Sequence, residues 1–182
     1  MRFIRKLIFL LVGVVLLASF TKFVSAEAVT TPVSTPPSEV SSFEIFWPIV
    51  AGRTMGDSLY FLKSLKEGLR GVLIFGQAQK ADYSVFLTTK RIVEIEKLIL
   101  EGKADLVEKT LVEATKQIDK ATVNVTQALA KGNPFQEQAV NMGNRLSSLE
   151  IFISQLILKT DKNKDGLSKI LEKISLLKVK LL

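Results

Sequence analysis

The order of apolar and polar residues changes character three times along the chain. A charge-free apolar run of 14 residues, Leu7 to Phe20, stands near the start. A stretch of Pro, Ser and Thr follows from Glu27 to Ser42, and then an aromatic segment, FEIFWPIVAG, from Phe43 to Gly52. From Asp57 onward apolar residues recur every three or four positions, the period of an amphipathic helix. The stripes predict five helices. Leu62, Leu65, Leu69 and Val72 mark a first, N-capped by Asp57 and ending near Gly76. Ala81, Val85, Thr88, Ile92, Ile95 and Ile99 mark a second, over about 77–101, stopped by Gly102. The third carries Val107, Leu111, Ala114, Ile118, Ala121, Val125 and Ala128, with Asp105 and Glu108 spaced as a capping box.

Lys131, Gly132, Asn133 and Pro134 close that helix and open the next. Gly132 suits the left-handed position after a helix, Asn133 the N-cap, Pro134 the first helical position and Gln136 the capping-box partner. Phe135, Ala139, Met142, Leu146, Leu149, Ile153 and Leu156 line the fourth helix, in which Gly143 is a weak point. Leu167, Ile170, Ile174, Leu177 and Leu181 line the fifth. Spacings near 3.5 residues and short connectors suit antiparallel neighbours crossing at shallow angles. No strand-like alternation persists. The expected fold is all-α: an antiparallel bundle of about five helices with coiled-coil-like seams, which also permit self-association.

The apolar run near the start reads as an address. MRFIRK is a basic leader, the apolar core is shorter than the roughly 20 residues of a spanning helix, and Val24 and Ala26 suit a signal peptidase. Cleavage is expected between Ala26 and Glu27, with an uncleaved membrane anchor as the alternative. The expected organisation is a signal peptide over 1–26, a disordered linker over 27–42, an extended apolar arm over 43–56 and a helical bundle over 57–182. Pro48 argues against a helix through the arm, which is expected to pack on the bundle or touch a membrane interface. The chain is therefore expected to be exported: periplasmic, on the cell surface or secreted.

Composition then narrows the chemistry. Of 25 Lys and Arg against 18 acids, four bases and no acid fall in the first 26 residues, so the formal +7 drops to about +3 after cleavage. The remaining bases alternate with acids rather than forming a stripe, so no nucleic-acid partner is expected. There is no Cys and no His. Disulfides, thiolate or imidazole metal sites and Ser–His catalysis are excluded. None of the apolar seams carries an acid, so neither an enzyme nor an organic cofactor is expected.

At GDSLYFLKSLKEGLRGVLIFG, followed by QKADYSVFLTTKRIVEIEKLILEGK, the chain resembles an uncharacterised family of exported bacterial helical proteins, a domain of unknown function. The resemblance rests on Ser58, Leu59, Tyr60, Phe61, Leu62 and Lys63, then Lys66 and Glu67, then Lys80, Ala81, Lys90, Arg91 and Glu94. It implies a signal peptide, a tether and a helical bundle, and it brings no catalytic or binding residue. Read physically, Tyr60 fills a gap between helices, while Lys63 with Glu67 and Lys90 with Glu94 are solvated i,i+4 pairs.

One stretch suggests a ligand. Asp161 to Glu172 fits the D-x-[DN]-x-[DN]-G-x5-E spacing of an EF-hand calcium loop. Asp161, Asn163, Asp165 and Glu172 would give side-chain oxygens, Leu167 a carbonyl, and Gly166 the turn. Against this, Ser168 stands where an aliphatic residue usually pins the loop, and Lys169 where a water-bridging ligand belongs. If Asp165 is an N-cap, Glu172 lies about 10 Å along the helix, beyond shared coordination. The polar-turn reading is preferred, with calcium as the alternative. Asn124-Val125-Thr126 fits a glycosylation acceptor, but within a helix and with Val125 on its seam it reads as chance.

Two functions follow. The first is an exported, non-catalytic helical protein that binds a protein partner, itself or exposed apolar segments, or that serves structurally in the envelope. Its membrane contact would come only through an uncleaved signal segment. The alternative is a calcium-binding module.

Overall fold

Each of the four long seams folds as one continuous helix. In the computed structural model, which describes residues 41–132 and 135–181, α1 is Ser42–Phe46, α2 Tyr60–Val72, α3 Gln77–Leu100, α4 Ala104–Ala130, α5 Gln136–Lys159 and α6 Lys164–Val179. The fold is all-α, with six helices among the described residues. These residues belong to one compact unit, 39–182. The signal segment with its Ala26–Glu27 junction, residues 27–40 of the linker, and Asn133 and Pro134 lie outside them. No described helix is long and apolar enough to cross a membrane.

Helices α3 to α6 form a four-membered ring in which α3 adjoins α4 and α5, and α6 adjoins the same two. Gly166 lies against Leu111 and Lys173 pairs with Asp119 at 2.6 Å, so α4 and α6 run parallel. Glu150 accepts from Ser175 and Lys178 at 2.8 and 2.7 Å, which fits α5 and α6 as an antiparallel hairpin. All seven seam positions of α4 are buried, and all but Ala128 share one core with the bulkier Met142, Leu146, Leu149, Phe152 and Ile153 of α5. Mixing large and small side chains lets such a core pack densely.

Helix α3 is the most enclosed, with thirteen buried residues. Two of them, Thr88 and Thr89, keep their hydroxyls satisfied by donating to the carbonyls of Ser84 and Val85 at 2.9 and 3.0 Å. Its end is a Schellman turn: Gly102 takes φ 68° and donates to Ile99, while Lys103 donates to Leu98 at 2.9 Å. Gly132 takes φ 63° after α4, as expected of a left-handed position. The box expected at Asp105 and Glu108 does not form. Helix α4 is N-capped by Lys103 without a side-chain cap bond, and Asp105 sits inside its first turn.

The arm also differs from expectation. Instead of running extended from residue 43, it begins with a turn of helix, because Ser41 and Glu44 form a reciprocal capping box. Pro48 falls one residue after the C-cap Trp47, where it obstructs nothing. Phe46 is the anchor, 5% exposed and edge-on to Phe152 with ring centroids 5.4 Å apart. Phe43 and Trp47 pair on the outside at 4.7 Å.

Candidate functional site

Helix α2 sits the opposite way round from the orientation its apolar stripe suggests. Leu62, Leu65, Leu69 and Val72 are 48 to 77% exposed, and its buried residue is Glu67. The cause lies on α3. Beside the seam positions Ile92 and Ile95, that helix presents Lys90, Arg91 and Glu94, of which Arg91 is 5% exposed and Glu94 not at all. Arg91 and Glu94 pair with each other at 2.6 Å. An apolar face laid on them would still leave that pair desolvated and the second guanidinium nitrogen without a partner, at a cost of several kcal/mol. Lys63 and Glu67, one helical turn apart on α2, supply further counter-charges. The apolar residues, at roughly the opposite angle on the 3.6-residue wheel, then face out.

The contacts cross between the helices. Lys63 pairs with Glu94 and donates to the carbonyls of Ala51 and Arg53 at 2.9 and 2.7 Å. Glu67 accepts from Lys90 at 2.5 Å and from Arg91, whose other terminal nitrogen reaches Glu94 at 2.6 Å. Lys63 with Glu67 and Lys90 with Glu94, read from spacing as two pairs each within its own helix, are thus exchanged across the interface. Tyr60 completes the layer, with Arg91 and Lys63 over its ring at 5.7 and 5.6 Å. The Tyr83 hydroxyl donates to the Glu67 carbonyl at 3.0 Å.

This electrostatic setting fixes the charges. Burial pushes the Glu67 carboxyl up, but the Lys90 hydrogen bond and the Arg91 charge more than offset it, so it sits below its ordinary value. Burial lowers Lys63, with the Glu94 hydrogen bond opposing that shift. Tyr60 is pushed up to about 12 by burial, with Arg91 pulling the other way. Arg91 Nε and Glu94 Oε2 are buried without a hydrogen-bond partner among the described residues. A cleft of about 610 Å³ between α2, α3 and α4 borders the cluster, lined by Arg91, Lys80, Glu113 and Lys120 among others. A second, of about 410 Å³, gathers Arg53, Lys66 and Arg70 beside Val50 and Phe86.

The acidic stretch near the C-terminus takes the geometry of a helix start. Asn163 is the N-cap, and Asp165, Gly166 and Glu172 all lie inside α6. Gly166 has no positive φ, and a Cβ there would meet Leu111 Cδ1 at 2.8 Å, so close helix packing accounts for it. Asp161, Asp165 and Glu172 are exposed, Asn163 is partly so, and among the described residues no three acidic side chains converge as a metal site. Val125 in the Asn124–Thr126 triplet is fully buried on α4.

The buried charges are the feature that seam-reading missed. The reading of Lys63 with Glu67 and Lys90 with Glu94 as solvated pairs is corrected: Glu67 and Glu94 are inside, together with Arg91. The available signal was the matching of two charged faces, residues 63 and 67 on one helix with 90, 91 and 94 on the next. Lys63, Glu67, Lys90, Arg91 and Glu94 are also residues on which the family resemblance rests. No curated protein and no solved structure matches the chain. A family described as Domain of unknown function (DUF5667) matches residues 52–175, from the turn before α2 into α6, and the chain belongs to that family.

Proposed function

We propose that this protein is an exported, non-catalytic docking module, in which the charged layer fixes α2 on the bundle so that its apolar face stays turned to the outside. One observation carries the reading. An amphipathic helix with a wholly apolar side, Phe61 to Val72, shows that side to solvent while its charged side is buried. Exposed apolar patches rimmed by polar residues mark interaction surfaces. Burial of Glu67, Arg91 and Glu94, with Lys63 and Lys90 partly buried beside them, costs desolvation that an apolar interface would avoid, so the layer serves orientation rather than maximal stability.

The layer offers little for catalysis. Glu67 is held ionised by Lys90 and Arg91, well away from the near-neutral range that suits proton transfer. Residues 160–163 make the turn between α5 and α6, and 164–172 are the first turns of α6. Export rests on the basic leader and apolar core of residues 1–26.

The test uses the natural lack of cysteine. Leu65→Cys in the full chain is labelled with a membrane-impermeant maleimide, both as purified protein and on cells that export it. The reading expects fast labelling of the purified protein and strong protection on cells. Equal rates would overturn it.

A further inference from the structure

We infer that the outward face of α2 docks on an anionic lipid surface, an assignment that rests on the docking reading and names its partner. The face combines two properties that seldom meet by chance. Phe61, Leu62, Leu65, Leu69 and Val72 form a continuous exposed apolar strip. The one acid of α2, Glu67, is buried and ion-paired, so the exposed charges left on the helix are Lys66 and Arg70. Lys66 borders the strip, Arg70 lies beyond it toward α3 with its guanidinium 5.4 Å from the Tyr83 ring centroid, and Arg53 joins them across a cleft of about 410 Å³. A helix lying in a bilayer interface has this form: apolar residues toward the acyl chains, and bases at the margin reaching phosphate groups.

A second copy of the chain fits less well. Two α2 faces brought together antiparallel would oppose Lys66 and Arg70 with the same cations, and in either direction no exposed acid on the partner helix would answer them. A lone helix surface is also a convex ridge, which a deformable bilayer accommodates without a preformed groove.

The experiment places an environment-sensitive fluorophore on Leu65→Cys of the full chain, with Leu158→Cys, an exposed site on α5, as the reference. This local readout separates α2 from any contribution of residues 1–26. Vesicles of phosphatidylcholine with phosphatidylglycerol are expected to shift the emission at residue 65 to the blue and leave residue 158 unchanged. Lys66→Gln with Arg70→Gln should weaken that response about thirtyfold, from about fivefold per base. No shift, or an equal shift with phosphatidylcholine alone, overturns the inference. A shift that needs no vesicles and grows with protein concentration assigns the face to a second copy and also overturns it. Protection of residue 65 on cells without a vesicle response would sink the lipid assignment and leave the docking reading intact.

Discussion

Lys63 of α2 is ion-paired to Glu94 of α3, a carboxylate with no solvent exposure. Glu94→Gln keeps the side-chain volume but leaves Lys63 and Arg91 short of a counter-charge in a poorly solvated layer. The expected loss is about 3 kcal/mol in urea unfolding, as for other buried pairs missing one partner. A double-mutant cycle of Lys63→Met with Glu94→Gln should return about 1–3 kcal/mol of coupling. The same cycle with Glu67→Gln should return less, which separates cross-helix pairing from pairing along α2.

Glu67 gives the layer a pH signature. Its folded value lies below the ordinary 4.5, so it contributes stability that is fully present above that pH. The contribution is lost as pH falls through the depressed value, because the unfolded chain takes up the proton first. Glu67→Gln should therefore be less stable at neutral pH and show a shallower acid decline. Unfolding free energies measured from neutral pH down past 4 would reveal both effects.

Two helical glycines should respond to alanine with opposite signs. A Cβ at Gly143 meets nothing within 4 Å, so Gly143→Ala should stabilise by about 0.5–1 kcal/mol through helix propensity. At Gly166 the added carbon would lie 2.8 Å from Leu111 Cδ1, and shifting Leu111 should outweigh the same gain and give a net loss of about 1 kcal/mol. Thermal unfolding of the two variants side by side checks the contrast.

The stretch 161–172 should give no binding heat with millimolar calcium, because Glu172 is carried away from Asp161 along α6. A calorimetric isotherm abolished by Glu172→Gln would show that the first turn of α6 unwinds to form a loop.

The difference between what the sequence revealed and what it hid has a physical origin. Val107 to Ala128 on α4 and Leu167 to Leu177 on α6 could be read because every seam position is apolar and each helix has one apolar side. Periodicity identified the two sides of α2 equally well, but not which one turns inward. That choice is made by Arg91 and Glu94, each one residue away from a core position of α3, where they read as solvated neighbours of the seam. The short helix at the start of the arm was hidden by Pro48, although the Ser41 and Glu44 spacing was present.

Urea unfolding of the Leu65→Ala, Leu69→Ala double variant tests most directly which side of α2 faces the bundle. With both leucines on the outside, the protein should keep its stability to within about 1 kcal/mol. A loss of about 4 kcal/mol or more, the cost of truncating two core leucines, would place that stripe in the core and contradict the account.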